Sequence, residues 1–138
     1  MNKRLSRPIE ILLIEDNEGD IILTKEALRE SGLNSHLSVA RNGEQGLNFL
    51  LRNAPYTNSP IPDLILLDVN MPKLNGLEVL ARIKSNKQIS KLPVVMLTTS
   101  NAEEDINKAY SLHANCYIVK PIGYERFIDV VKGIEAFW

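Results

Sequence analysis

With only one cysteine, Cys116, in 138 residues, the chain has no partner for an intrachain disulfide, and a reducing cytoplasm is its natural setting. Its apolar neighbours make a buried structural thiol the expectation. Neither charge is in excess: seventeen acidic against sixteen basic residues leave a formal net charge of -1. Nucleic acid and anionic lipid therefore find no electrostatic footing, and neither is an expected partner. No apolar run approaches the length of a membrane span. The basic start, Met1 to Pro8, lacks the apolar stretch and small-residue cleavage site of a signal peptide. Internal repeats and low-complexity segments are absent as well. There is little room for a second core: 44% hydrophobic and 24% charged residues over this length fit one compact domain. A tail over 1–8 followed by a single domain over 9–138 is the expected organisation.

Short runs of Ile, Leu and Val alternate with longer segments of helical periodicity, which predicts repeated β-α units and a parallel sheet. Ile9 to Ile14 reads as the first strand, followed by a helix from Glu18 to Glu30 that Ser31 and Gly32 terminate. Leu37 to Ala40 is a weak second strand, and Asn42-Gly43 opens a helix carrying Leu47, Phe49, Leu50 and Leu51. A turn-rich loop, Asn53 to Pro62, precedes the third strand. That strand, Leu64 to Leu67, is purely aliphatic, as expected of one buried on both faces. A helix from Gly76 to Ser85, a strand from Pro93 to Leu97, a helix from Glu103 to Leu112, a strand from Cys116 to Val119 and a helix from Tyr124 to Trp138 complete five units. Right-handed crossovers pack such a chain into a three-layer α/β/α sandwich, whose ligands bind beyond the carboxyl ends of the strands.

Those ends carry the chemistry. Glu15 and Asp16 follow the first strand and Asp68 follows the third, so three carboxylates converge on one rim. Like charges that close require a proton or a cation between them. An all-oxygen donor set with room for waters and a phosphate suits Mg2+. Thr98 stands at the end of the fourth strand and Lys120, followed by Pro121, at the end of the fifth. A lysine can balance the carboxylates and grip a phosphoryl oxygen, and a threonine hydroxyl can donate to another. Any one of these residues has an ordinary explanation, as an ion pair or a β-branched strand residue. Together they make a phosphoryl-transfer site in which Asp68 is the nucleophile.

Glu15-Asp16, Asp68, the run Met71-Pro72-Lys73-Leu74-Asn75-Gly76, Thr98 and Lys120-Pro121 resemble the signature of response-regulator receiver domains, over nearly the whole chain. The resemblance implies a flavodoxin-like receiver fold with a parallel sheet ordered 2-1-3-4-5. It implies that Asp16, Asp68 and the backbone carbonyl of Asn70 bind Mg2+, that Glu15 acts through water, and that Pro121 follows a cis peptide bond. It makes Asp68 the phosphoacceptor of a sensor histidine kinase, and Thr98 and Tyr117 a switch that reshapes the face of helix four, strand five and helix five. The domain would then be a switch with Mg2+-dependent self-phosphorylation and autodephosphorylation rather than a conventional enzyme.

Two features depart from the usual pattern. Thr99 stands where Ala or Ser is usual, and its methyl narrows access to the phosphoryl group. The insert Ala54 to Pro62 is long; with Leu112-His113, Asn115-Cys116-Tyr117 and the ending Gly133-Ile134-Glu135-Ala136-Phe137-Trp138 it resembles receivers paired with cyanobacterial phytochromes. The terminal pair Phe137-Trp138 suggests a homodimer contact on the same switching face. His36 and His113 have no second ligand at metal spacing and read as surface or cap residues. Lys84, Lys87 and Lys91 read as a solvated face. A haloacid-dehalogenase-type phosphohydrolase shares the strand-end Asp, but its general acid two residues on is here Asn70. A phosphorylation-independent scaffold of the same fold is the other alternative, distinguished by partner binding that ignores Asp68→Asn.

Overall fold

The computed structural model describes residues 7–98, 103–120 and 123–135, and among them five strands alternate with five helices. They are β1 (Ile9–Ile14), α1 (Glu18–Ser31), β2 (Ser35–Ala40), α2 (Gly43–Leu51), β3 (Leu64–Asp68), α3 (Gly76–Ser85), β4 (Val94–Thr98), α4 (Glu103–Ser111), β5 (Cys116–Val119) and α5 (Tyr124–Glu135). The strands form one parallel sheet ordered β2-β1-β3-β4-β5, as the resemblance implied.

Alternating side chains of the strands feed two cores. Ile9, Ile11 and Leu13 of β1 meet Ile21, Ala27 and Leu28 of α1 and Phe127, Val130 and Val131 of α5 on one face. Leu12 and Ile14 meet Phe49 and Leu50 of α2 and Leu77, Leu80 and Ile83 of α3 on the other. Every residue of β3 and β4 is buried, which is why these strands read as unbroken apolar runs. Each fully buried Leu or Ile contributes about 1.5–3 kcal/mol of transfer free energy.

Helix starts follow local chemistry. Asn17, Asn42 and Asn75 are N-caps whose side chains accept from Asp20, Gln45 and Glu78 backbone N–H groups, and the Glu78 carboxylate in turn accepts from the Asn75 N–H in a capping box. Gly32 ends α1 in the left-handed region, φ 72°, where a Cβ would be strained.

Several sequence-based bounds shift. β2 begins at Ser35 because Ile9 and Glu10 pair with the polar Ser35 and His36, and a ladder is held by backbone groups whatever the side chains. β3 extends to Asp68, paired with Leu97. β4 begins after Pro93, which has no N–H to donate, and runs to Thr98. α4 stops at Ser111, and His113 at φ 68° leads the chain away from it. Thr99, Pro121 with its expected cis bond, and Phe137-Trp138 lie outside the described residues; among those described, the cis peptide bond is Ala54-Pro55. Cys116 is half-buried rather than buried, because β5 is an edge strand. Lys84 does not belong to a solvated face: its Nζ donates to the carbonyls of Ser90 and Leu92, at 3.1 and 3.0 Å, and closes the α3–β4 loop. Tyr56 of the insert packs on Phe49 with ring centroids 5.6 Å apart. No helix among the described residues is long and apolar enough to cross a membrane.

Candidate functional site

The strand order reverses between β1 and β3: from β1 the chain turns outward to β2, and from β3 it proceeds the other way to β4 and β5. Parallel strands point all carboxyl ends to one edge, so the crevice at this reversal is where the fold leaves a site. Glu15 continues the line of β1, its N–H donating to Ala40 O at 2.9 Å, and Asp68 closes β3 directly alongside. Glu15 is 1% exposed and Asp68 3%, whereas Asp16 faces solvent. Each of the three offers an oxygen within 4.8 Å of the others.

Lys120 enters from the end of β5, its backbone N–H donating to Thr98 O at 2.6 Å. Its buried ammonium donates to Glu15 Oε1 and to Asp20 Oδ2 at 2.8 Å, and lies 3.1 Å from Asp68 Oδ1. One lysine thus joins three carboxylates. Burial by itself lowers a lysine, but bonds to Asp20 and Glu15 and the charge of Asp68 win and hold Lys120 above its ordinary value. The bond from Lys120 likewise holds Asp20 below the usual carboxylate range. Burial, with Asp68 beside it, pushes the Glu15 carboxyl up to about 9 against the opposing pull of Lys120.

The second oxygen, Glu15 Oε2, is buried, and no donor among the described residues reaches it. An orphaned buried acceptor is costly, and there are two remedies: a proton, with which Glu15 could donate to Asp68, or a cation. The donor set therefore fits a hard divalent ion, with Glu15, Asp16 and Asp68 as candidate holders.

The remaining predicted residues surround this cluster. Thr98 is fully buried at the end of β4, and its Oγ1 accepts a long bond, 3.4 Å, from Asn70 Nδ2. Tyr117 sits three residues before Lys120, 8% exposed, in the core beneath α2, α3 and α4. It is thus a packed side chain and not the half-exposed aromatic that β5 alone would allow. Gly76 seats the β3–α3 loop against α3: its N–H donates to Val69 O at 2.8 Å, and a Cβ there would stand 2.1 Å from Asp68 O. That contact explains the glycine of the Asn75-Gly76 pair. Asp20 was not singled out in the sequence. It lies in the first turn of α1, where the Asn17 cap turns it back toward the strand ends, and that cap is the signal that could have found it.

Comparison with known proteins fits this geometry. A family model, Response regulator receiver domain, matches residues 11–132. Response regulator Rcp1 of Synechocystis sp. is 44% identical over 138 residues, 100% of this chain and 94% of the relative. Among solved structures, the phosphorylated cyanobacterial phytochrome response regulator RcpA matches with a TM-score of 0.80 at 45% identity, covering 95% of this chain and 94% of that one. The Mn(2+)-bound form of Rcp1 matches with a TM-score of 0.78, also at 45% identity and with the same coverage. The converging carboxylates, the strand-end lysine and these likenesses agree, and the chain belongs to the response regulator receiver domain family.

Proposed function

We propose that Asp68 accepts a phosphoryl group from the phosphohistidine of a sensor histidine kinase. The observation that carries this reading is the buried Lys120 ammonium, 3.1 Å from Asp68 Oδ1 and braced by Glu15 and Asp20. A carboxylate oxygen of Asp68 attacks phosphorus in line, the P–N bond breaks, and the imidazole leaves with the electron pair and takes a proton. Lys120 is placed to take one phosphoryl oxygen as charge shifts onto it, and the Thr98 hydroxyl to donate to another. Asp16, Asp68 and the Asn70 carbonyl would hold Mg2+ directly and Glu15 through water; when bound, the ion neutralises charge on the phosphoryl oxygens. Attack of water on phosphorus returns Asp68 and inorganic phosphate, so the domain both phosphorylates itself from small donors and dephosphorylates itself.

Phosphorylation then biases a two-state surface. Thr98 moves toward the new oxygens, and Tyr117 repacks in the volume behind it, reshaping α4, β5 and α5. Tyr110 and Val119, both exposed on this face, suit a homodimer contact. The likeness to RcpA, a cyanobacterial phytochrome response regulator, supports a phytochrome-type kinase as the donor. We place the protein in the cytoplasm, as one receiver domain over 9–138 behind a tail over 1–8. Incubation with Mg2+ and acetyl phosphate should add one phosphate by intact mass. No addition, or addition that survives Asp68→Ala, overturns the reading.

A further inference from the structure

The phosphoryl-transfer reading leaves unexplained why a fourth acidic residue, Asp20, holds the lysine. An ammonium has three donors, and here Glu15 Oε1, Asp20 Oδ2 and Asp68 Oδ1 all stand within reach of them. A phosphoryl oxygen that takes a hydrogen bond from Lys120 must therefore displace one carboxylate. Glu15 is 1% exposed, so bulk water cannot take the place of the lysine on its Oε1. Asp68 carries the phosphoryl group itself. Asp20 has 28% of its side chain exposed, so water can replace the lysine there at the least cost.

Its backbone is fixed from both sides, the N–H on Asn17 Oδ1 at 2.9 Å and the carbonyl on Thr24 Oγ1 at 2.9 Å. The aim of the side chain is accordingly set by the start of α1. We propose that Asp20 is a positioning residue that keeps the Lys120 ammonium in reserve and releases it when a phosphoryl group arrives on Asp68. This rests on the phosphoryl-transfer reading. Asp20 opposes the phosphorylated state twice, by competing for Lys120 and by adding a negative charge near an incoming anion. Removing its charge should therefore tighten, not weaken, the hold on a phosphoryl group.

The test measures affinity for beryllium fluoride, a tetrahedral stand-in for the phosphoryl group, by calorimetry at saturating Mg2+. Asp20→Asn, which keeps the shape and loses the charge, should bind about five-fold tighter, the scale of one partly exposed ion pair. Asp20→Glu should return to the wild-type value. Without any phosphoryl analogue, the ammonium 15N resonance of Lys120 should shift in Asp20→Asn and be restored in Asp20→Glu, a response that a purely structural role for the α1 start would not give. Equal or weaker binding by Asp20→Asn, or an unmoved Lys120 signal, overturns the proposal. If Asp20→Asn fails to fold, Asp20→Ser, well suited to a first helical turn, carries the same comparison. Wild-type protein that takes up neither beryllium fluoride nor phosphate defeats the phosphoryl-transfer reading itself, whereas normal uptake with no Asp20 effect defeats only the reserve.

Discussion

Replacing Gly76 by alanine should destabilise the protein even though alanine is the better helix former. On propensity alone, Gly→Ala inside a helix is worth up to about 1 kcal/mol of stability. At Gly76 the added Cβ runs into the peptide unit between Asp68 and Val69: Asp68 O at 2.1 Å, Val69 Cα at 2.7 Å and the Asp68 carbonyl carbon at 2.8 Å. Backbone atoms cannot rotate aside, and reaching ordinary contact near ~3.5 Å means parting α3 from the end of β3 by more than ~1 Å. Overpacking of this kind costs about 3 kcal/mol, which for a chain of this size lowers Tm by roughly 10 °C. The displaced atoms belong to Asp68, so divalent-ion affinity should fall in the same variant. Gly133→Ala in α5 is the control, since nothing among the described residues lies within 4 Å of its added Cβ; it should gain about 0.5–1 kcal/mol. Urea unfolding of both variants decides the matter. A Gly76→Ala protein as stable as wild type would refute the close-packed β3–α3 loop.

Asp63 ties the start of the chain to the foot of the sheet, accepting from Arg7 at 2.6 and 2.8 Å and from the Glu10 N–H at 2.9 Å. Burial raises this carboxyl, but Arg7 and the Glu10 N–H outweigh it and hold it below the usual range. A lowered folded pKa adds stability above the unfolded value, about 3.9, which is lost as pH falls through the folded value. Asp63→Asn should accordingly cost about 1 kcal/mol at pH 7, the half-exposed Arg7 limiting it, and progressively less in urea titrations as pH falls through the lowered folded value. Lys84→Met keeps the aliphatic stem and strips the ammonium from Ser90 O and Leu92 O; a loss of about 1 kcal/mol is expected by thermal melting. Mg2+ at a hundred times its Kd should add about 2.7 kcal/mol to unfolding, an increment removed by chelator and by Asp16→Ala with Asp68→Ala.

Much of this architecture was legible because β3 and β4 are buried on both faces and so read as aliphatic runs, while Asn17, Asn42 and Asn75 mark helix starts by capping. The start of β2 was hidden because an edge strand pairs through its backbone and tolerates Ser35 and His36. Glu15, Asp68, Thr98 and Lys120 could be found from strand ends, since the parallel sheet brings those ends together. Lys84 could not, and for Asp20 the Asn17 cap is the one signal. Both sit inside helical segments as ordinary charged residues, and only the three-dimensional path shows Asp20 reaching Lys120, and Lys84 bridging two loop carbonyls. Exposure is a property of the fold as well: Tyr117 and Cys116 are neighbours on one short strand, one buried and the other half-buried.

The central claim is chemical identity at one atom. Protein treated with Mg2+ and acetyl phosphate, then reduced with borohydride, converts an aspartyl phosphate to homoserine that peptide mass spectrometry can locate. We expect homoserine at position 68 alone, and none without Mg2+ or in Asp68→Ala. Homoserine at another carboxylate of the cluster, at Glu15 as its longer alcohol, or at no position despite added phosphate, would contradict the account.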